Sequence, residues 1–386
     1  MDCQKDLFSL PDDHHYLNCS YLSPLLNKVE EAGIQGIRGK HRPWETTPDH
    51  FFEDSNTLRS LFAELVNAPN AKDIAIMPAV SYGLATVANN IDATKGNTIV
   101  ISGEQFPSNV YAWKRFCNEH SCKLKVVNPP EGFEDRGQQW NERILNAIDS
   151  DTLLVALGNV HWTDGTLFDL KNIGAKARDN DAYFVIDGTQ SVGALPIDVQ
   201  EIKADALICA GYKWLMGPYA LTLGYLGPRL QDGIPLEEGW IVRKNSEDFS
   251  GLVDYEDDYQ PGAVRFDMGE RSNFVLVPMM IEALKQILDW RPQNIQAYCE
   301  QLTADLERGL PDYGYQIEDP DWRAGHMFGI RLPASVSLKK LQHQLDEHNI
   351  HVSVRGSAVR ISPNVYNSEQ DIAMLYDVLK DVAGHA

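Results

Sequence analysis

The chain has 386 residues, 43% of them hydrophobic, and a formal net charge of −21. That balance supports a large core with one big and one smaller domain, and it argues against nucleic acid or an anionic membrane surface as a partner. No apolar run reaches the about 18 residues of a membrane span, and Met1 to Asp6 carry neither the basic nor the apolar region of a secretory leader. The six cysteines are scattered, and no second close pair joins Cys117 and Cys122 in a zinc pattern. Reduced thiols, a cytoplasmic setting and no metal are therefore expected.

Residues 1–24 read as an irregular arm that includes Asn18-Cys19-Ser20. A helix is expected from about Leu25. Another covers Phe51–Val66, where Leu58, Leu61, Phe62, Leu65 and Val66 recur with helical spacing and belong to the core. Asp73 to Pro78 read as a strand running into Ala79-Val80-Ser81-Tyr82-Gly83, where a helix begins. Free amide groups at such a start favour an anion, and Ser81 could also serve as the N-cap.

The next strand, Thr98–Ile101, leads to Phe106, either a ring for stacking on a ligand or an ordinary core residue. Helix Ser108–His120, strand Lys123–Val127 and helix Gln139–Ile148 follow. Strand Thr152–Leu157 delivers the loop Gly158-Asn159-Val160-His161-Trp162-Thr163-Asp164-Gly165. His161 there is either an acid/base facing a substrate or a hydrogen-bonded loop residue, the second reading being preferred. Helix Phe168–Asn180 and strand Tyr183–Ile186 bring in Asp187-Gly188-Thr189-Gln190-Ser191-Val192-Gly193.

An apolar strand, Ala206–Ala210, then stops at Gly211-Tyr212-Lys213-Trp214-Leu215-Met216-Gly217-Pro218. Lysine is almost never fully buried without a partner, and desolvation lowers its pKa. Lys213, between two aromatics after a core strand, is thus a candidate Schiff-base amine, or else a surface lysine lying past Trp214. Ser81, Phe106, Asn159, Asp187 and Lys213 each follow a strand. In a doubly wound sheet the carboxyl ends of the strands are where ligands bind.

After a strand over Ala220–Leu226 comes an acidic, solvated loop, Glu247–Asp258. Beyond it lie Arg265-Phe266-Asp267-Met268-Gly269-Glu270-Arg271-Ser272. Helices from about Phe274 to Trp290 and Asn294 to Leu310 lead to an α+β segment. It contains strand Met327–Leu332, helix Leu338–His348 and strand His351–Val354. Near the end stand Arg355, Arg360 and Tyr366-Asn367, with Ser368 and Asp371 placed to cap the last helix.

The pair D-G-T-Q-S-V-G and A-G-Y-K-W-L-M-G-P resembles the cofactor site of the class V aminotransferase family, whose members include cysteine desulfurases, kynureninases and isopenicillin-N epimerase-like proteins. The resemblance extends over nearly the whole chain. It implies a pyridoxal 5'-phosphate (PLP) dependent transferase fold of type I: a large, doubly wound, mainly parallel α/β domain over residues 25–273. An N-terminal arm over 1–24 precedes it, and a helical connection with a smaller α+β domain over 274–386 follows.

The resemblance further implies Lys213 as the lysine that holds the cofactor and Asp187 as the partner of its ring nitrogen. Val80, Ser81 and the helix start would hold its phosphate, with Val80 standing where the family has a hydroxyl. Phe106 would stack on the ring, Tyr212 would border it, and Asn159 and Gln190 would contact its phenolic oxygen. Ser272 would reach the partner subunit's cofactor in a homodimer, Glu270 standing where the family has threonine. Arg360 would bind the substrate carboxylate, the alternative being a surface salt bridge, and Asn18, Ser20 and His161 would line the substrate side.

The implied activity is that of a PLP enzyme on an amino acid. Transamination comes first, with β-lyase and epimerase or racemase activity as alternatives. A persulfide-forming desulfurase is disfavoured because Ser353–Val359 contains Ser357 and no cysteine. A catalytically silent binding protein on the same fold is the non-enzyme reading. A nicotinamide-binding enzyme lacks the G-x-G-x-x-G that should follow its first strand.

Overall fold

A computed structural model gives the architecture and describes residues 1–356 and 358–384. In chain order its elements are β1 (His15–Tyr16), α1 (Asn27–Gly39), α2 (Glu53–Leu65), β2 (Ile74–Met77), α3 (Val80–Ala88), β3 (Thr98–Ser102), α4 (Ser108–His120), β4 (Lys123–Val127) and α5 (Arg136–Ala147). There follow β5 (Thr152–Gly158), α6 (Leu170–Asp179), β6 (Tyr183–Asp187), β7 (Ala206–Ala210), β8 (Thr222–Leu226), α7 (Leu276–Trp290) and α8 (Pro292–Gly309). The last are β9 (Gln316–Ile317), β10 (Phe328–Arg331), α9 (Leu338–Glu347), β11 (Ile350–His351), β12 (Ser353–Arg355), β13 (Ala358–Ile361) and α10 (Glu369–Gly384).

Seven strands form one sheet in the order β2-β8-β7-β6-β5-β3-β4. Every residue of β2, β3, β5, β7 and β8 is buried, as expected when helices cover both faces. Strands β7, β6, β5, β3 and β4 run parallel, and β8 runs antiparallel to both β7 and β2. Two reversals restore the direction, so β2 points the same way as the parallel set. Met77, Ser102, Gly158, Asp187 and Ala210 therefore end at one edge. Thr222, the first residue of β8, pairs with both Met77 and Ala210 and lies at that edge too. This is the α/β type I architecture that the motifs imply.

The C-terminal part carries a second, antiparallel sheet in the order β12-β13-β10-β9, covered by α9 and α10 through Leu341, Leu345, Leu375, Val378 and Leu379. The expected strand over His351–Val354 is in fact two. Ile350–His351 pairs in parallel with His15–Tyr16 of the arm, while Ser353–Arg355 pairs with β13, so the chain changes partner at Val352. The arm is thereby tied to the C-terminal part rather than irregular throughout. Other boundaries shift by local chemistry. Helix α6 starts after Asp169, whose carboxylate accepts from the Asn172 amide (3.1 Å). Strand β8 begins at Thr222 because Ala220 holds a left-handed φ of 64°. No helix among the described residues is long and apolar enough to cross a membrane.

Candidate active site

A cavity of about 260 Å³ opens at the shared edge of the large sheet. Its walls come from the turns after β2, β3, β5, β6 and β7 and from the start of β8. They include Val80, Ser81, Phe106, Asp187, Gln190, Tyr212 and Lys213. Four separate turns, those after β2, β3, β6 and β7, thus deliver residues expected from the sequence to one place.

The β2–α3 turn supplies the anion-binding end. Helix α3 opens on Ala79 with no side-chain cap, so Ser81 is not the N-cap and lies within the first turn. Ala79, Val80 and Ser81 all face the cavity, which leaves amide groups and the positive helix end directed at whatever occupies it.

Asp187 lines the same cavity with both oxygens held. Oδ1 accepts from the Thr189 amide (2.9 Å) and Oδ2 from Asn109 Nδ2 (2.6 Å). These contacts fix the carboxylate plane. The segment after Asp187 turns back through Gly193, whose φ of 104° only glycine adopts without strain, and a Cβ there would meet the Trp214 carbonyl at 2.4 Å. That close approach lets Gln190 Oε1 accept from the Trp214 indole (2.9 Å), while Gln190 Nε2 donates to the Ser20 carbonyl (3.1 Å). Gln190 therefore borders the cavity with its amide already oriented, one N–H still to place.

Lys213 is buried at the cavity wall, with its amine 5.7 Å from the centre of the Tyr212 ring. No carboxylate among the described residues lies within 4 Å of that amine. Burial and then the positive charge of Arg360 push its pKa down from 10.5 to about 8, against the opposing pull of Asp187. Near neutrality a useful fraction of the amine is thus unprotonated and nucleophilic.

Arg360 sits on β13, buried at 1% exposure. Its Nη1 donates to the Trp162 carbonyl, and its Nε has no partner. No acidic side chain among the described residues pairs with it, so it is not a surface salt bridge. Burial, then Arg355, lowers its pKa from 12.5 to about 9. A buried, unsatisfied guanidinium is costly and calls for an external anion.

Other expected residues stand elsewhere. Asn159 is buried between Gly158 and Val160, which line the cavity while it does not. His161 does not line it either. Its Nδ1 bonds Thr163 Oγ1 (2.7 Å), its Nε2 the Gly103 carbonyl (3.1 Å), and its ring packs on Trp140. With both nitrogens engaged it acts as a loop histidine, which corrects its assignment to substrate. Ser272 donates to the Phe51 carbonyl within the same chain, and neighbouring Arg271 is ion-paired to Asp267 (2.6 Å). Asn18 accepts from Ser353 Oγ (2.7 Å) and lines a second cavity beside the arm; Ser20 bonds Ser362 Oγ (2.7 Å).

Four residues at the site are not singled out by the sequence. Asn109, on the first turn of α4, orients Asp187. Trp162 lines the cavity with its ring edge-to-face on Phe106 (5.3 Å, 84°) and its indole donating to the Glu104 carbonyl (2.7 Å). Thr189 and Thr222 complete the lining. An indole following His161 in a post-strand loop is the available signal for Trp162; Thr222 carries none, because an antiparallel strand brings it in from the other direction.

These features fit PLP. The set comprises a desolvated amine, an oriented carboxylate to face a ring nitrogen, an uncapped helix start for a phosphate and aromatic walls for a flat ring. The sequence profile described as aminotransferase class-V matches residues 27–375. The uncharacterized aminotransferase YcbU of Bacillus subtilis is 24% identical over 97% of this chain and 95% of its own. Isopenicillin N epimerase of Streptomyces clavuligerus is 25% identical, over 81% and 80%. Among solved structures, the apo cysteine desulfurase of Thermococcus onnurineus NA1 shares the fold with a TM-score of 0.83 at 21% identity, covering 100% of this chain and 99% of that one. The fold, the convergence on Lys213 and the profile match agree: the chain belongs to the class-V aminotransferase family of PLP-dependent enzymes.

Proposed function

We propose that the protein is an aminotransferase that moves the amino group of an α-amino acid, with Lys213 as the lysine that holds the cofactor. The observation that carries the reading is the meeting, in one cavity wall, of a desolvated Lys213 amine and Asp187, with the unpaired Arg360 charge bearing on that amine. PLP, when bound, supplies an aldehyde that links to amines and a ring that draws electron density from the substrate's α-carbon. Lys213 would hold the cofactor through its aldehyde, and its amine, when free, would be the base placed to move the α-proton. Asp187, held by Asn109 and Thr189, would pair with the ring nitrogen and keep it protonated. The amide groups at the start of α3 bind the phosphate. Arg360 fixes the substrate carboxylate and so sets which α-carbon bond is aligned for cleavage. Phe106 and Trp162 wall the site.

A persulfide route finds little support in the thiols. Cys19 and Cys209, both within electrostatic reach of Lys213, are fully buried. Burial pushes Cys19 up to about 12 and Cys209 well above its ordinary value, so both stay protonated and are poor nucleophiles. Ser357, in the segment before Arg360, lies outside the described residues. Epimerisation needs a second acid on the other face of the ring. Tyr212 is the residue for that role, since it lines the cavity and burial raises its phenol pKa. The proposed assembly is a homodimer sharing its sites across the interface, supported by Tyr219 and Phe106, which line the cavity yet are exposed.

Stoichiometric conversion of bound cofactor to the amine form, with release of one keto acid per site on adding an amino acid, supports transamination. Ammonia and a keto acid with the cofactor unchanged would point to β-elimination, and inversion of configuration alone to epimerisation.

A further inference from the structure

We propose that Arg355 forms, beside Arg360, a second carboxylate-binding position, so that the preferred substrate is an amino acid whose side chain carries its own acid group. The proposal rests on the reading of Arg360 as the binder of the α-carboxylate and extends it to the side chain.

The placement follows from strand register. In the β12–β13 hairpin Ser353 pairs with Arg360 and Arg355 with Ala358. Cross-strand partners share a face, and residues two apart on one strand share it as well. Arg355 and Arg360 therefore stand on the same face as diagonal neighbours, roughly 7–8 Å apart at the backbone. Like charges so placed repel, and no acidic side chain among the described residues is ion-paired with either, although Asp346 lines the same cavity as Arg355. The guanidinium of Arg355 donates only to the carbonyl of Val354 (2.8 Å), and neither arginine has an acidic partner within 4 Å.

The rest of the chain shows how unusual this is. It holds 55 acidic residues against 34 basic ones, and its other well-buried arginines are matched. Arg59 and Arg271 pair with Asp267, Arg136 with Asp164 and Arg323 with Glu307. Arg360 is the buried arginine left without an acidic partner among the described residues, and half-buried Arg355, unpaired beside it, adds a second positive charge for an anionic ligand. One α-carboxylate neutralises one of them. Lys213, whose amine both arginines press on, adds a third cation, set against Asp187 and against Asp346, which lines the same cavity as Arg355. A second acid group on the ligand would pair with the guanidinium that the α-carboxylate leaves free.

The surroundings suit that group. Arg355 lines the second cavity with Asn18 and Tyr21 of the arm. Asn18 Oδ1 accepts from Ser353 Oγ, which fixes the amide as a donor toward any further ligand. The same stretch of arm reaches the first cavity through the Ser20 carbonyl, which receives Gln190. An acid group two or three carbons from the α-carboxylate would pass from one guanidinium toward the other.

The test is calorimetric titration of the full-length protein, purified with its cofactor, using butyrate, succinate and glutarate. None of these carries an amine, so the readout is binding and not turnover. The expected result is at least about tenfold tighter binding of a dicarboxylate than of butyrate, on the scale of one charge-assisted hydrogen bond. Arg355→Gln should remove that preference while leaving butyrate unchanged, and Arg355→Lys should restore part of it. Equal affinities for butyrate and both dicarboxylates, or a preference that survives Arg355→Gln, would overturn the proposal. Loss of butyrate binding in Arg360→Gln confirms the reading beneath it. Unaltered butyrate binding in that variant would instead refute the role of Arg360.

Discussion

Asn109 donates to Asp187 across 2.6 Å, joining the first turn of α4 to the end of β6. The carbonyl oxygen of the same Asn109 amide is buried without a partner, so the residue is held for what its nitrogen does. On the proposed reading it is a positioning residue for the carboxylate that would face the cofactor ring.

Asn109→Leu removes that donor while keeping the volume similar. A hydrogen bond to a charged group contributes about 1.5–3 kcal/mol, so kcat/KM should fall on the order of 10–100-fold. The fold should persist, and the absorbance of bound cofactor should shift as its ring nitrogen loses its fixed partner. An unchanged spectrum with unchanged kinetics would remove Asn109 from the account.

Arg360→Met should separate stability from binding. The arginine is buried with its Nε unpaired, and exchange of buried charge for a hydrophobic side chain of similar size is often neutral or stabilising by about 1–4 kcal/mol. The melting temperature is expected to hold or rise while carboxylate ligands no longer bind. A sharp loss of stability would mean that Arg360 is a structural residue.

Much of the fold and of the site is legible in the amino-acid sequence. The limits of α4 and β4 coincide with the predicted spans, because apolar periodicity and flanking turn residues agree there. The strand-to-turn residues Ser81, Phe106, Asp187, Gln190 and Lys213 lie where a doubly wound sheet should put them. The hairpin carrying Arg355 and Arg360 is less visible. Its strands have three and four residues, too short for periodicity to register, and β13 is absent from the predicted elements. Asn109 and Thr222 act through contacts that sequence spacing does not encode. His161 has two readings from the sequence, and its two hydrogen bonds inside the protein agree with the preferred one, a hydrogen-bonded loop histidine, against its placement on the substrate side.

The segment from Arg265 to Ser272 reads differently in three dimensions as well. Asp267 accepts from Arg59, from Arg271 (2.6 Å) and from the Ile76 amide (2.8 Å), all buried. Asp267→Ala leaves two buried guanidinium groups uncompensated and should cost about 3–5 kcal/mol. Urea unfolding would show it, and a loss under about 1 kcal/mol would mean the cluster is solvated.

The depressed pKa of Lys213 has a measurable pH signature in cofactor-free protein. Between about 8, where the folded chain releases this proton, and 10.5, where the unfolded chain does, the unfolded state binds more protons. Stability should therefore rise with pH across that window, by roughly 3 kcal/mol relative to a Lys213→Met variant, with no rise below it. Arg360→Gln should narrow the window by relieving the repulsion that helps depress the pKa. Parallel stability curves for wild type and Lys213→Met would show an ordinary lysine.

The central claim is that Lys213 holds the cofactor, and the most direct measurement is the visible absorbance of purified protein beside a Lys213→Ala variant. The account predicts a band of lysine-linked PLP in the wild type, reducible by borohydride to a modification on Lys213, and its absence in the variant. Because the base for the α-proton is lost as well, turnover should drop by roughly 10²–10⁴-fold. A wild-type protein that PLP cannot colour, or a variant that keeps the same band and the same reduced lysine adduct, would contradict it.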